Sequence, residues 1–192
     1  MRKGKQIRKT NETDISIEWN LDGKGKCDIN TGIGFFDHML ELFAVHGKFD
    51  LIVKCKGDLK VDGHHSIEDI GIVMGKILHE ALGDKKGIAR YAHKYIPMDE
   101  TLARAVVDVS GRPFLVFNAK LKGKIGEFDC ELVEEFFRAI ATYGMITLHI
   151  DLLYGNNAHH KVEAIFKAFS RALSKSIKII GKDIPSSKGV LE

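Results

Sequence analysis

The sequence predicts an α+β fold made of an internally duplicated unit, in which each half is a roughly four-stranded sheet with two helices on one face. The first observation is the motif HHxxE, which begins at His64 and again at His159, 95 residues later. The second is a pair of acidic turns, NET and DET, which precede similar apolar runs 88 residues apart. The third is a pair of helix stops, Gly47 and Gly144, 97 residues apart.

These repeats divide the 192 residues into two halves that are expected to share one core. We expect a first repeat half at 1–92, a second at 93–180 and a C-terminal tail at 181–192, together forming a single compact domain. The tail, GKDIPSSKGVLE, is short, polar and interrupted by Gly and Pro. Composition alone therefore favours a frayed terminus for it.

Apolar spacing gives the elements of the first half. The run ISIEWNL alternates as a strand does and closes on an Asp-Gly turn, while FDLIVKCK is typical of a second long strand. The first HHxxE motif opens a helix whose apolar residues recur at helical spacing. The predicted elements are strands at 15–21, 26–30 and 49–56, and helices at 37–46 and from 64 to about 83.

The second half repeats this order. A run from Leu102 to Val109 closes on Ser-Gly, as the first strand closed on Asp-Gly. The second HHxxE motif again opens an amphipathic helix, with Val162, Phe166 and Leu173 on its apolar face. The predicted elements are strands at 102–109, 113–119 and 146–153, and helices at 133–143 and from 159 onward.

Composition excludes several classes of protein. The net charge of +3 and the absence of a concentrated basic block give no indication of nucleic-acid binding. Three scattered cysteines without a CxxC pair favour a reducing compartment. No run approaches the ~20 apolar residues of a membrane helix, and the charged start lacks the core of a secretory signal. We therefore expect a soluble, cytoplasmic protein that binds neither membrane nor nucleic acid.

The HHxxE motifs carry the candidate metal chemistry. Residues three and four apart share a helix face, so the glutamate of each motif is expected beside both of its histidines. The alignment of the two first helices adds His38, which falls on Glu135 at the 97-residue spacing. Imidazole and carboxylate together suit a divalent transition metal. The eight candidate ligands are His38, His64, His65 and Glu68 in the first half and Glu135, His159, His160 and Glu163 in the second.

Eight ligands predict two metal ions. Neighbouring helical residues diverge by about 100°, so adjacent histidines are expected to serve different ions, each with about four protein ligands. Ligation by nitrogen and oxygen without thiolate suits Mn²⁺, Fe²⁺, Ni²⁺ or Zn²⁺. A single HHxxE could equally be a polar first helical turn, and it is the repetition that favours a metal site. His46 and His149 lack this spacing, and the sequence assigns them no role.

Long segments of the sequence resemble the imidazoleglycerol-phosphate dehydratase family. They are FFDHMLELFAVHG, DGHHSIED, KGIARY, PMDETLARAVVDVSGRP, NNAHHKVEAIFKAFSRAL and IPSSKGVL, and the resemblance covers nearly the whole chain. One position departs from the family pattern. Many members have histidine where this chain has Glu135, and the repeat argument favours a carboxylate ligand there.

The resemblance implies an enzyme of histidine biosynthesis that converts imidazole glycerol phosphate to imidazole acetol phosphate and water. It also implies two Mn²⁺ ions per active site and a homo-oligomer of 24 subunits with sites where subunits meet. The difficult step is loss of an unactivated C–H proton together with hydroxide. A metal-stabilised imidazolate form of the substrate ring would make that loss accessible, and the resulting enol would tautomerise to the ketone.

The resemblance also implies roles for individual residues. Glu12 is the first candidate for general acid/base catalysis, and Asp99, beside Glu100, occupies the related place in the second half. His38 is expected near the substrate as well as the metal. The candidate substrate and phosphate contacts are Glu12, His38, Arg90, Arg112, Lys167, Ser186, Ser187 and Lys188.

Two other functions fit the ligand motif. A metal-binding or storage assembly would explain the histidines but would leave the Arg and Ser-Ser-Lys groups without a purpose. A dimetal phosphohydrolase would use both sets of residues. Assaying the protein with Mn²⁺ and imidazole glycerol phosphate separates the three, because only the dehydratase forms the ketone and only the hydrolase releases phosphate.

Overall fold

The structure is a computed structural model that describes residues 2–191. Ten strands and four helices follow one another in this part of the chain. The strands are β1 (Lys3–Lys9), β2 (Thr13–Asn20), β3 (Cys27–Asn30), β4 (Asp50–Gly57), β5 (Tyr91–Met98), β6 (Thr101–Asp108), β7 (Phe114–Asn118), β8 (Lys124–Ile125), β9 (Phe128–Asp129) and β10 (Thr147–Tyr154). The helices are α1 (Gly34–Gly47), α2 (His64–Leu82), α3 (Leu132–Tyr143) and α4 (Ala158–Ser176).

Two four-stranded sheets have the same topology. The first has the order β1-β2-β4-β3 and the second the order β5-β6-β10-β7. In each sheet the first three strands pair antiparallel with one another, and the fourth pairs parallel with the third. Each sheet is accompanied by two helices, so the α+β class and the duplication are both confirmed.

The short hairpin formed by β8 and β9 interrupts the repeat. It lies between β7 and α3, where the first half passes from β3 to α1 without an intervening strand. The change in repeat spacing from 88 to 97 residues falls at this insertion. The hairpin also covers the core, since Phe128 at its end is buried and its ring lies 5.1 Å from that of Phe35.

The helices lie between the two sheets. Helix α2 packs on β1 and β2 and α4 packs on β5 and β6, while α2 contacts α3 and α1 contacts α4 across the two halves. One hydrophobic core therefore runs through both halves. At its centre, the ring of Phe136 lies 5.4 Å from those of Phe36 and Phe166. Helices that carry equivalent residues are thus held at fixed distances by a shared core.

Most predicted elements are confirmed within a few residues, but β1, β5 and the short strands β8 and β9 were missed. The inward face of β1 carries Gly4, Gln6 and Arg8, so it has no apolar alternation to detect. A Cβ at Gly4 would lie 2.9 Å from the side chain of Ile77, which shows how closely α2 approaches this strand. Helix α1 begins earlier than predicted. Its C-cap residue, Lys48, has a backbone in the left-handed region (φ 59°).

Candidate metal centre and anion pocket

Three side chains from the two halves converge at the start of α4. His38, His159 and Glu163 each offer a ligand atom, and these atoms all lie within 4.8 Å of one another. Glu163 Oε2 is 3.1 Å from His159 Nε2 and 4.0 Å from His38 Nε2. Two ligands about 2.1 Å from a shared ion lie roughly 3 Å apart, so the cluster fits a divalent metal after small side-chain movements. It is the one such cluster within residues 2–191.

Local structure explains this arrangement. Asn157 caps α4 by accepting hydrogen bonds from the backbone N–H groups of His159 and His160, which fixes the first turn. Glu163 follows His159 by one helical turn, so the i,i+4 spacing places its carboxylate on the same face of α4 as the His159 ring. The ring of Phe35 packs 5.1 Å from the His159 ring and restricts its orientation.

The cluster carries a negative charge that is partly balanced by Lys167. Glu163 is buried, and its carboxylate bonds both His159 and the Lys167 ammonium. Burial opposes its ionisation, but the Lys167 ammonium and His159 outweigh that cost and hold the pKa of Glu163 below its ordinary value. The structure thus places Lys167 beside the candidate ligands, one turn after Glu163 on α4.

The groups that the repeat makes equivalent to this cluster are His64 and Glu68 on α2 and Glu135 on α3, and they are more widely spaced. His64 Nε2 lies 3.9 Å from Glu68 Oε2, again at i,i+4 spacing. Glu135, the counterpart of His38, is on α3, and its carboxylate lies 3.9 Å from Arg138 Nε on the same helix. These three residues occupy the places that the repeat predicts, but they do not converge as the second-half cluster does.

The second histidine of each motif points to a different set of carboxylates. His65 Nδ1 is 3.0 Å from Asp58, and its Nε2 is 3.7 Å from Glu12. The rings of His64 and His65 lie 6.2 Å apart at an angle of 82°. Because neighbouring helical residues diverge by about 100° and the two rings have different carboxylate partners, we expect them to serve different ions. The hydrogen bond to Asp58 raises the pKa of His65.

In the second half, Glu100 takes the place of Glu12. His160 Nδ1 is 2.7 Å from Glu100, and its Nε2 is 3.8 Å from the exposed carboxylate of Asp99. Glu100 also accepts the backbone N–H groups of Asn156 and Asn157. Those N–H groups and His160 hold the pKa of Glu100 well below its usual range, and Glu100 in turn raises the pKa of His160.

A second candidate site lies where β5 begins. A cavity of about 450 Å³ is lined by side chains of two loops and the tail. The predicted phosphate residues that line it are Arg90, Arg112, Ser186, Ser187 and Lys188. Five residues selected from separate segments thus meet at one cavity that is rich in cations and hydroxyl donors.

Arg90 organises this anion pocket. Its guanidinium binds Asp108 at 2.9 Å and donates to the Pro185 carbonyl at 2.8 Å, so it ties the tail to β6. The tail is further anchored by a hydrogen bond from Gly87 N–H to the Asp183 carbonyl. The tail is therefore ordered and lines one side of the pocket, although its composition favours a frayed terminus. Since Asp108 neutralises Arg90, Arg112 and Lys188 supply the net positive charge.

The metal cluster and the anion pocket are far apart in one chain. The backbone N–H of Arg90 donates to the carbonyl of Ser176, the last residue of α4, whereas His159 is at the start of that helix. Seventeen helical steps of about 1.5 Å put the two ends roughly 25 Å apart.

Two contributors to these sites were not predicted. Asp58, which binds His65, follows the glycine that ends β4 and belongs to no motif, so only its position in space identifies it. Asp108, which binds Arg90, ends an apolar strand and carried no motif signal.

His46 is half-buried on α1, where burial and the nearby Lys167 and Arg171 lower its pKa. His149 lies on the exposed face of β10.

Comparison with known proteins identifies close relatives. The model of the family described as imidazoleglycerol-phosphate dehydratase matches residues 31–173. The imidazoleglycerol-phosphate dehydratases of Clostridioides difficile and Thermodesulfovibrio yellowstonii are 57% and 54% identical to this chain, with full coverage of both sequences in each case.

Solved structures agree with this similarity. The crystal structure of imidazoleglycerol-phosphate dehydratase from Staphylococcus aureus superposes with a TM-score of 0.84 at 50% identity, covering 92% of this chain and 99% of the other. The Pyrococcus furiosus protein, solved in complex with (S)-C348, gives a TM-score of 0.84 at 36% identity, covering 97% and 100%. No helix within residues 2–191 is long and apolar enough to cross a membrane.

Proposed function

The chain belongs to the imidazoleglycerol-phosphate dehydratase family, and from this premise we propose that it removes water from imidazole glycerol phosphate to give imidazole acetol phosphate in histidine biosynthesis. The observation that carries the proposal is the convergence of His38, His159 and Glu163 within 4.8 Å in a chain of this family. We further propose that two Mn²⁺ ions per site, when bound, supply the Lewis acidity that stabilises negative charge on the substrate's imidazole ring.

The residues that would hold these ions come from both repeats. His38, His159 and Glu163 form one set of ligands, and their nitrogen and oxygen donors suit Mn²⁺. We assign His65 and His160 to further ligation, because each has one ring nitrogen fixed by a carboxylate while the ring faces away from its neighbouring histidine. The remaining proposed ligands are His64, Glu68 and Glu135.

Proton transfer is assigned to Glu12. Its carboxylate is half exposed and lies 3.7 Å from His65, so it can reach both solvent and a ring bound nearby. In the proposed reaction one C–H proton and one hydroxide leave the substrate as water, and the enol that remains becomes the ketone. Asp99, which is largely exposed beside His160, is the second proposed acid/base group.

The anion pocket is assigned to the substrate's phosphate. With Arg90 neutralised by Asp108, Arg112 and Lys188 carry a net charge that matches a phosphate dianion. Ser186 and Ser187 add hydroxyl donors. The pocket favours a phosphorylated substrate over a site for metal storage, since storage would not use these groups.

The spacing of the two sites supports an active site shared between subunits. A substrate of this size is on the order of 10 Å long, whereas the metal cluster and anion pocket of one chain are roughly 25 Å apart. We therefore propose that the metal end of one subunit meets the anion pocket of another. This requirement favours a closed homo-oligomer, for which we propose 24 subunits as the family resemblance implies.

A direct assay tests the proposal. The purified protein is incubated with Mn²⁺ and imidazole glycerol phosphate, and both the ketone product and free phosphate are measured. Formation of the ketone without phosphate release is the expected result. Phosphate release would favour a dimetal hydrolase instead, and bound metal with neither product would favour a storage protein.

A further inference from the structure

A buried hydrogen-bond network connects α2 to the turn that carries Glu12. Asp69, directly after Glu68, is buried, and its carboxylate accepts a hydrogen bond from Arg8 Nε at 2.8 Å. Its other oxygen accepts the hydroxyl proton of Thr13 at 2.6 Å. Thr13 is the next residue after Glu12, so the network reaches the backbone of the proposed acid/base residue.

The direction of the hydroxyl protons is fixed by Asp69. Thr13 has one hydroxyl proton, and Asp69 takes it, so the 3.2 Å contact between the two threonine hydroxyls must use the proton of Thr10. The Thr10 oxygen in turn accepts the backbone N–H groups of Glu12 at 3.1 Å and Thr13 at 3.0 Å. The backbone beside Glu12 is therefore anchored to α2, while its carboxylate accepts no hydrogen bond from residues 2–191 and lies 3.7 Å from His65 Nε2.

The second half holds its equivalent glutamate in a different way. Thr101 occupies the place of Thr13, and its hydroxyl lies 3.1 Å from Glu100 and donates to it. Glu100 is further held by two backbone N–H groups. At the 95-residue spacing Asp69 corresponds to Ala164, which has no acceptor to compete for the threonine proton. The first half thus has a buried carboxylate that competes for the threonine proton, and Glu100 is held by hydrogen bonds that no residue within 2–191 gives to Glu12.

We propose that Asp69 is a positioning residue of the dehydration reaction. By taking the proton of Thr13, it prevents that hydroxyl from binding Glu12 as Thr101 binds Glu100. By anchoring the turn through Arg8 and the threonines, it keeps the free carboxylate of Glu12 opposite His65. The inference rests on the proposed function for the role of Glu12, and on the hydrogen bonds alone for the anchoring of the turn.

A double-mutant cycle tests this role in the assembled, Mn²⁺-loaded protein. Asp69→Asn should lower kcat by about 10- to 100-fold, as loss of a residue that orients a reacting group does, and should change KM less than threefold. In a Glu12→Gln background the same substitution should lower kcat less than twofold, because the group that it positions is already lost. Losses that multiply, or an unchanged kcat in Asp69→Asn, would overturn the proposal.

Hydrogen exchange of the assembled protein provides a readout independent of turnover. Backbone amides of residues 10–13 should exchange faster in Asp69→Asn than in the wild type, and unchanged exchange would contradict the anchoring. If the wild type forms no ketone, the proposed function fails, and this measurement still decides on the anchor. Thr13→Ser, which keeps the hydroxyl, should retain at least about tenfold more activity than Thr13→Val.

Ser170→Ala is the matched control. Ser170 is also a buried hydroxyl, and it donates to the Phe43 carbonyl at 2.6 Å, away from the Glu12 turn. Its loss should lower stability as the loss of any buried hydrogen bond does, while kcat and exchange at residues 10–13 remain unchanged. An equal effect of Ser170→Ala on kcat would show that the Asp69 effect is only general destabilisation, and would reject the positioning role.

Discussion

Two variants that damage opposite ends of α4 should restore each other's activity when their chains assemble together. The first is His159→Gln, which removes a proposed metal ligand from a half-exposed position. The second combines Arg112→Ala and Lys188→Ala, which removes the net positive charge of the anion pocket. Each assembly made of one variant alone should be inactive at low substrate concentration, because each of its sites lacks either metal binding or phosphate binding.

The size of the recovery follows from the separation of the two ends. The roughly 25 Å between them implies that the metal end of one chain works with the anion pocket of another. In a 1:1 mixture of the two variants, half of the metal ends and half of the pockets are intact. About one quarter of the sites should then be complete when subunits mix at random. A site contained within a single chain would give no recovery, since every chain is damaged.

The assay uses co-expression with two affinity tags, tandem purification and measurement of ketone formation below KM. A mixture of His38→Gln and His159→Gln chains is the matched control, because both variants damage the metal end and no combination is complete. Recovery near one quarter only in the opposite-end mixture is expected. Absence of recovery in a mixed assembly of verified composition would refute the shared site.

Further predictions concern metal, phosphate and packing. Chelation should abolish activity and dissociate or shrink the assembly, because metal would join ligands from different segments. Size-exclusion chromatography with light scattering measures the size of the assembly. An apoprotein of unchanged size would reject the prediction that the assembly depends on metal. Glu135→Ala should reduce bound metal, measured by elemental analysis; unaltered metal content and turnover would remove Glu135 from the ligand set. Lys188→Ala should raise KM about tenfold through loss of a charged contact with phosphate, and an unchanged KM would contradict the pocket assignment. Gly75→Ala should destabilise the fold by about 1–2 kcal/mol, because its Cβ would lie 2.8 Å from the backbone nitrogen of Gly144 and the clash exceeds the gain in helix propensity. Denaturant unfolding against a Gly34→Ala variant, at a helical glycine without a positive φ and with nothing within 4 Å, tests whether crowding is the cause.

Local patterns in the sequence predicted much of the fold. Helix α2 begins at His64 and ends at Leu82, as the HHxxE motif and Gly83 indicated, because helical spacing and helix ends depend on nearby residues. The pairs His64–Glu68 and His159–Glu163 were predictable for the same reason, since i,i+4 geometry is set within one turn.

The sequence pattern did not predict the elements whose stability comes from other segments. Strand β1 has no apolar face, and it forms because β2 pairs with it and α2 packs against it through Gly4. Likewise, Asp58 and Asp108 have identifiable roles only once His65 and Arg90 are placed beside them.

By itself the sequence determined the duplicated architecture and the identity of the candidate metal ligands, and its family resemblance indicated the candidate phosphate-binding residues. Only the tertiary structure decided that His38 joins His159 and Glu163, that His160 instead faces Glu100, and that the anion pocket lies at the far end of α4. The physical reason is distance along the chain. Helical periodicity orders neighbours within a turn, whereas the packing of α1 on α4 through one shared core sets which distant side chains meet.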